Sequence, residues 1–495
     1  MTPFEITMVV SIVVMGFYAI YGLLNFKKTS SFDEFFLNDR NLSKSNVRNT
    51  FTGASISIAT VLIFFLTIGI NFGWVVLWSP LTLALGILAF NFLIYPRLIK
   101  NSDIWDGLQG KGEKPIRSLS DYLDHTYGSR SVTLITTSVS ACGILAILIA
   151  EMMVGVQIYQ EYFIQPQWIV LLLGVTLFLY AGFGGMRSVV ETDMWQVLLI
   201  CASVLLIVLY VAWRAAQGEN SFSVTDLLTD WTPQGPMPLS LWMNILVVNM
   251  CLLPSSLRVW QVIAASSKKE TQFQKGLIES TLLILFIVIG TLLISKGVIG
   301  LTGVGNPSIT SIFQFLTSSG GLAAYVIYPL FVAALLSALV STADSAILPL
   351  GQGTVTLLGQ ENRFSPRLNM FNILFWIGMT ILAFYVVNEV LQMDLVGWIL
   401  TVFAITTCIA PVVVAPLFRS GRTVNKAGSA IVSVGLVIAL ISAIAWSVAY
   451  KDNFAMISWN CVIGFSISTL ATLIAFVGFA PPDRIVARSS EGGIS

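Results

Sequence analysis

Charge is what this sequence is short of. Only 10% of its 495 residues are Asp, Glu, Lys or Arg, while 56% are hydrophobic. Soluble proteins carry roughly 25% charged residues, so the chain reads as an all-α integral membrane protein. Histidine is nearly missing. The one copy, His125, sits in a polar stretch, which leaves a metal enzyme or a triad hydrolase without parts. The five cysteines (Cys142, Cys201, Cys251, Cys408, Cys461) fall in apolar runs with no paired spacing. They read as small buried hydrophobes rather than disulfide partners or metal ligands. No soluble domain of any size interrupts the apolar runs, and the tail after Pro482 is short for a catalytic or signalling module. A net charge of +1 gives no footing for nucleic acid. Neither enzymatic activity, nor a cofactor, nor a transition metal, nor an obligate protein partner is expected.

What is present is apolar length. Runs able to cross a bilayer cover roughly 5–25, 48–72, 75–98, 131–163, 167–184, 188–214, 239–263, 276–300, 322–358, 367–388, 391–418, 427–450 and 455–479. That makes about 13 transmembrane helices, an odd count that puts the termini on opposite sides. In this arrangement 23 of the 26 Lys and Arg residues fall on one side, among them Lys27, Arg40, Arg117, Arg187, Arg258 and Arg484. The loop 216–238 on the other side carries Glu219, Asp226 and Asp230. The positive-inside rule then places the N-terminus outside and the C-terminus in the cytoplasm of a plasma (inner) membrane. The first run lacks a basic leader and a cleavage site, so it reads as a retained helix. The polar segment 99–130 reads as a loop with a short amphipathic helix around Ser118–Tyr127.

The stretch 336–348 is the centre of the sequence. It lies inside a membrane-length apolar run yet carries Ser337, Ser341, Thr342, Ser345 and Asp344. A charge at such depth costs roughly 2.5–3.5 kcal/mol on the mildest insertion scale. Steps of three and four residues put Ala338, Ser341, Thr342 and Ser345 on one helix face, with Asp344 flanking it. Hydroxyl, carbonyl and carboxylate oxygens suit a small hard cation that has shed its water. Hydroxyls bonded back to their own helix are the plainer reading, and Asp344 is what weighs against it.

Three other stretches are polar or interrupted at depth. Residues 52–60 (Thr52 to Thr60) are small and hydroxyl-rich, a composition that favours local unwinding and frees backbone carbonyls. Glu191-Thr192-Asp193 begins one turn inside Arg187, and Pro254 breaks the run that starts near 239. Interrupted helices in corresponding positions of two halves point to an inverted-repeat transporter.

Four segments carry a family likeness. Residues 33–42 (Asp33 to Leu42) follow the first run. Tyr180-Ala181-Gly182-Phe183-Gly184-Gly185-Met186 is followed by Thr192-Asp193 and Gln196. Arg258-Val259-Trp260-Gln261 precedes Ala264, Ala265 and Lys268 to Glu270, and the last segment runs from Ser337 to Ser345. In this order they resemble the sodium:solute symporter family. The resemblance implies a leucine-transporter-like inverted 5+5 helix repeat with one leading and two trailing helices. Its segments would be 1–47, 48–215, 237–420, 427–480 and a tail, 481–495. It implies a main sodium site of carbonyls from Ala54, Ser57 and Ala338 with hydroxyls from Ser341 and Thr342. A second cation site would draw on Asp193, Ser341, Asp344 and Ser345. Two carboxylates in one small site cannot both stay ionised without a cation, so the choice between sodium and a proton stays open.

The solute is expected beside the unwound segment near mid-membrane. Ser57, Thr60, Trp78, Glu151, Asn249 and Trp398 are the pocket candidates, although tryptophan more often anchors or packs. No deep arginine is expected to clamp a carboxylate there, which favours a neutral or amine-bearing small organic solute. Sodium-coupled import by alternating access is the leading expectation. A membrane-embedded sensor on the same fold and a proton-coupled symporter are the alternatives.

Overall fold

The computed structural model describes residues 2–26, 31–58, 61, 72–111, 115–160, 168–218, 222–229, 235–303, 309–361, 365–391, 395–418 and 424–479. The main helices are α1 (Pro3–Asn25), α2 (Lys44–Ser55), α3 (Trp78–Ala89), α4 (Arg130–Gln160), α5 (Trp168–Leu177), α6 (Phe183–Ala216) and α7 (Leu239–Ser255). They continue as α8 (Leu257–Ser266), α9 (Glu270–Thr302), α10 (Tyr328–Leu357), α11 (Pro366–Val386), α12 (Leu395–Thr407), α13 (Lys426–Ala449) and α14 (Asn460–Gly478). No strand occurs among the described residues. A helix satisfies its backbone internally, which hydrocarbon surroundings require.

Ten of the described spans are long and apolar enough to cross a membrane, or eleven when α7 and α8 count as one bent span. This stays below the thirteen expected, for two reasons. The stretches 167–184 and 188–214 run together as Trp168–Ala216, and the stretch 48–72 is described only as far as Ile58, at Val61 and at Phe72. A sharp break still marks the first join. Gly185 has φ 57 and ψ −160, and a Cβ there would sit 2.6 Å from the Phe35 carbonyl oxygen, so only glycine fits.

Large apolar side chains such as Phe371 and Val477 remain exposed on the outside, as lipid-facing positions require. The inside is built round α10. Every residue from Ala334 to Gly353 is buried, so this helix has no solvent or lipid face. It packs on α1, α2, α4, α6, α8 and α11.

Two interruptions shape the interior. Ser43 caps α2 by accepting from the Asn46 amide, and the helix ends at Ser55, where Ile56 leaves helical geometry at φ −99, ψ 68. Small and hydroxyl-bearing residues in that last turn weaken the helix and leave carbonyls without intrahelical partners. Between α7 and α8 the chain bends by 45° at Ser256, two residues after Pro254. Proline has no amide hydrogen to continue the ladder.

Candidate ion and solute site

The end of α2, the middle of α10 and the start of α6 meet at one junction. A Cβ on Gly53 would lie 2.6 Å from Ser341 Oγ and 3.5 Å from Asp193 Oδ1. Ser341 donates to Asp193 Oδ1 at 3.4 Å, and the Thr50 hydroxyl donates to Asp193 Oδ2. The Thr50 carbonyl in turn accepts from Arg258 Nη2 on α8. Four helices are therefore tied through Asp193.

The polar residues of α10 divide between two faces. Thr342 and Ser345 open on an internal cavity of about 170 Å³, together with Ala54 and Ser57 from the broken end of α2. Ala338 and Ser57 line a smaller void of about 40 Å³ behind the break. Ser337 and Asp344 turn the other way. Ser337 accepts from the Tyr18 hydroxyl at 3.0 Å, and Asp344 lies beside Tyr180. Ser341 stands between the two faces.

Of the five residues expected to hold sodium, Ala54, Ser57 and Thr342 line the larger cavity, Ala338 shares the smaller void with Ser57, and Ser341 stands against Gly53. Thr342 Oγ1 is buried and makes no hydrogen bond there, an oxygen available to a cation. Ser345 is less available, because its hydroxyl donates back to Ser341 O at 2.6 Å and to Thr342 O at 3.1 Å. Both Asp344 oxygens are buried without a hydrogen bond of standard geometry, although the Tyr180 hydroxyl and the Ser345 amide lie near. The Arg258 guanidinium is in electrostatic reach of Asp193 and Asp344. Arg187 belongs elsewhere: it pairs with Glu191 at 3.2 Å. No cluster of three or more His, Cys, Asp or Glu suited to a transition metal occurs among the described residues.

The pocket candidates separate in the same way. Ser57 and Asn249 line the cavity. Glu151 is fully buried and accepts the Ser57 hydroxyl proton. Trp78 instead donates to Trp242 O at 3.3 Å with the two rings 5.1 Å apart, and Trp398 donates to Ala146 O at 2.9 Å. Neither indole is among the lining residues, so both act here in packing. Thr60 lies outside the described residues.

Sequence reasoning missed Arg258. Counted with the basic residues on one side, it reads as lying at the end of the run 239–263, but α8, which follows the bend at Ser256, carries it on the cavity wall. The expectation of a pocket without arginine is corrected accordingly. Gln196 was missed as a site residue too. It is fully buried, one turn beyond Asp193, with neither amide atom in a hydrogen bond of standard geometry and the Tyr18 hydroxyl nearby.

A model of the sodium:solute symporter family matches residues 35–435. No curated protein matches the chain in sequence. Among solved structures, the fold is similar to that of a Na+-coupled sialic acid symporter in a substrate-bound outward-open state. That likeness has 15% identity and a TM-score of 0.74, covering 96% of this chain and 98% of that one. It is also similar to Mhp1, a nucleobase-cation-symport-1 family transporter, at 13% identity and a TM-score of 0.57, covering 90% and 94%. A manganese transporter mutant from Eremococcus coleocola matches at 16% identity and a TM-score of 0.52, covering 88% and 94%. These likenesses establish a leucine-transporter-like fold. The match to the family model spans most of the chain, and this chain belongs to the sodium:solute symporter family.

Proposed function

We propose that the protein is a sodium-coupled secondary active symporter that imports a small organic solute by alternating access. The observation that carries this reading is the junction where the broken end of α2 meets α10, with Gly53 against Ser341. Ala54, Ser57 and Ala338 would supply carbonyl oxygens to the ion, and Ser341 and Thr342 hydroxyl oxygens. The solute would occupy the adjoining cavity against Ser57 and Asn249, with Glu151 behind the wall. Sodium bound across α2 and α10 favours the shape in which both helices are held together, and so orders the pocket next to them. The membrane potential adds roughly 2.3 kcal/mol per charge per 100 mV to the drive. The bias of basic residues supports a plasma-membrane orientation with the N-terminus outside and the C-terminus inside.

A second cation would sit by Asp193, Ser341, Asp344 and Ser345. Asp193 and Asp344 carry two negative charges against the single positive charge of Arg258, so one more cation balances the cluster. Sodium is the reading taken. A proton is the alternative favoured by the buried Asp344 oxygens, which accept no hydrogen bond of standard geometry. A thermal-shift screen of small solutes with and without sodium identifies the solute, and vesicle uptake under sodium or proton gradients then decides coupling. Accumulation driven by sodium supports the proposal. Uptake that never exceeds equilibration under either gradient contradicts it.

A further inference from the structure

Helix α8 stands between the cavity and a knot of loops on the face that the basic residues mark as cytoplasmic. Arg258, Val259 and Val262 give α8 its cavity face. Its other face is tied down. The Trp260 ring stacks on Tyr122 of the short helix Leu119–Tyr127 at 4.2 Å, and Gln261 Nε2 donates to Phe36 O at 3.0 Å. Near its end, Ala265 O accepts from the Leu42 amide at 3.0 Å, and Ser267 Oγ donates to Leu108 O at 2.7 Å. Moving α8 aside breaks these contacts.

One carboxylate pins the knot. Asp33 Oδ2 accepts from Arg40 Nε and Oδ1 from Arg117 Nε, both at 3.0 Å. Arg40 is buried, and its Nη1 donates to the carbonyls of Leu108 and Ile116. Arg117 reaches α10 in turn, because its carbonyl accepts from Gln352 Nε2 at 2.6 Å. Asp33 thus joins the segment after α1 to the polar segment 99–130, and through them α8 to α10.

The pin is held under strain. Asn38, Asp39 and Arg40 have φ of 45°, 54° and 59°, three successive left-handed residues and the only such ones besides glycine among the described residues. A side chain disfavours that region, and such strain persists only where surrounding contacts impose it. Arg40 Nη2 is also buried without a hydrogen bond of standard geometry, so its burial is incompletely repaid. The Asp33 side chain is 33% exposed, which lets water compete for it. A fixed scaffold gains nothing from these features; a catch that has to release does.

Resting on the import reading above, we propose that Asp33, Arg40 and Arg117 form the catch of an inner gate. Closed, it holds α8 over the cavity and favours the sodium-loaded, outward-facing shape. Its release lets α8 swing aside and the left-handed turn relax, which opens the cavity to the cytoplasm.

The test puts a thiol on the cavity face of α8 by Val262→Cys, a buried position. Inside-out vesicles holding the full-length protein receive a membrane-impermeant methanethiosulfonate, and labelling above that of the parent protein, with its five native cysteines, is followed. In sodium buffer, Asp33→Asn is expected to speed labelling at least about fivefold. Arg117→Gln, which breaks one of the two ion pairs, is expected to speed it by a smaller factor. Asp39→Gly relieves strain without touching either pair, and should slow labelling in sodium-free buffer. A merely structural knot would lower the melting temperature of Asp33→Asn and leave labelling of the folded protein unchanged. The proposal is overturned if neither Asp33→Asn nor Arg117→Gln speeds labelling of folded protein, or if Asp39→Gly fails to slow it. Should Asp33→Asn not fold, the opposite signs expected of the other two variants decide. Labelling that sodium does not slow in Val262→Cys alone, but that the catch variants still shift as expected, would remove the sodium coupling and keep the gate.

Discussion

Ser341 on α10 and Asp193 on α6 share a hydrogen bond of 3.4 Å, although 148 positions separate them in sequence. Gly53 on α2 packs directly against this pair, so closely that a Cβ there would come within 2.6 Å of Ser341 Oγ. The contact is where a loose end of one helix is held to the buried centre of the bundle. Gly53→Ala should therefore crowd the junction at a cost of about 1–3 kcal/mol. The expected result is a lower melting temperature and weaker sodium binding together, measured by sodium titration of thermal stability.

Thr342→Ala removes a buried hydroxyl that makes no protein hydrogen bond. Deleting such a group relieves a desolvation cost in the absence of ion and removes a ligand in its presence. Sodium affinity should fall about tenfold with little loss of stability in sodium-free buffer. Sodium-dependent melting curves for the two proteins check both halves.

Arg258 lies at the cavity wall, bonded to the Thr50 carbonyl and facing two carboxylates. Arg258→Gln leaves Asp193 and Asp344 without their protein cation, and an uncompensated buried charge is strongly destabilising. The variant should melt several degrees lower without sodium and recover most of that loss as sodium is added. Lithium or potassium in place of sodium reports how selective the recovery is.

How much of this is legible in the sequence depends on the kind of signal. Apolar length marks the spans because hydrocarbon surroundings demand it, and the small residues before Ser57 mark the break in α2. Spacing also groups Ala338, Ser341 and Thr342. It cannot tell that Ser345 is bonded back to its own helix, or that Asp344 turns toward Tyr180. Those depend on which neighbour each face meets. Arg258 is hidden by a bend of 45°, after which a residue expected at the end of its run lines the cavity. Trp78 and Trp398 follow the commoner habit of their residue type and pack against backbone carbonyls.

The loop helix Leu119–Tyr127 supplies a pH dependence away from the bundle interior. Ser118 caps it and Asp121 completes the capping box, accepting from the Arg117 amide at 2.9 Å and the Ser118 amide at 3.1 Å. Burial pushes its carboxyl up to about 6 from 3.8, against the pull of those contacts, and the nearby Glu361 charge adds to the rise. The folded protein therefore holds this proton more tightly than the unfolded chain. The resulting stabilisation is complete below about 3.8 and is lost as pH rises through about 6. Melting temperatures of Asp121→Asn measured from pH 5 to pH 7 should show a flatter profile than those of the parent protein.

Binding of radiolabelled sodium to the purified protein, alongside Ser341→Ala and Thr342→Ala, probes the α2–α10 junction whatever the solute turns out to be. Saturable binding that potassium does not displace, weakened in both variants while each remains folded, is the predicted result. Sodium binding that is absent from the parent protein, or unchanged in both variants, would contradict an ion held between these two helices.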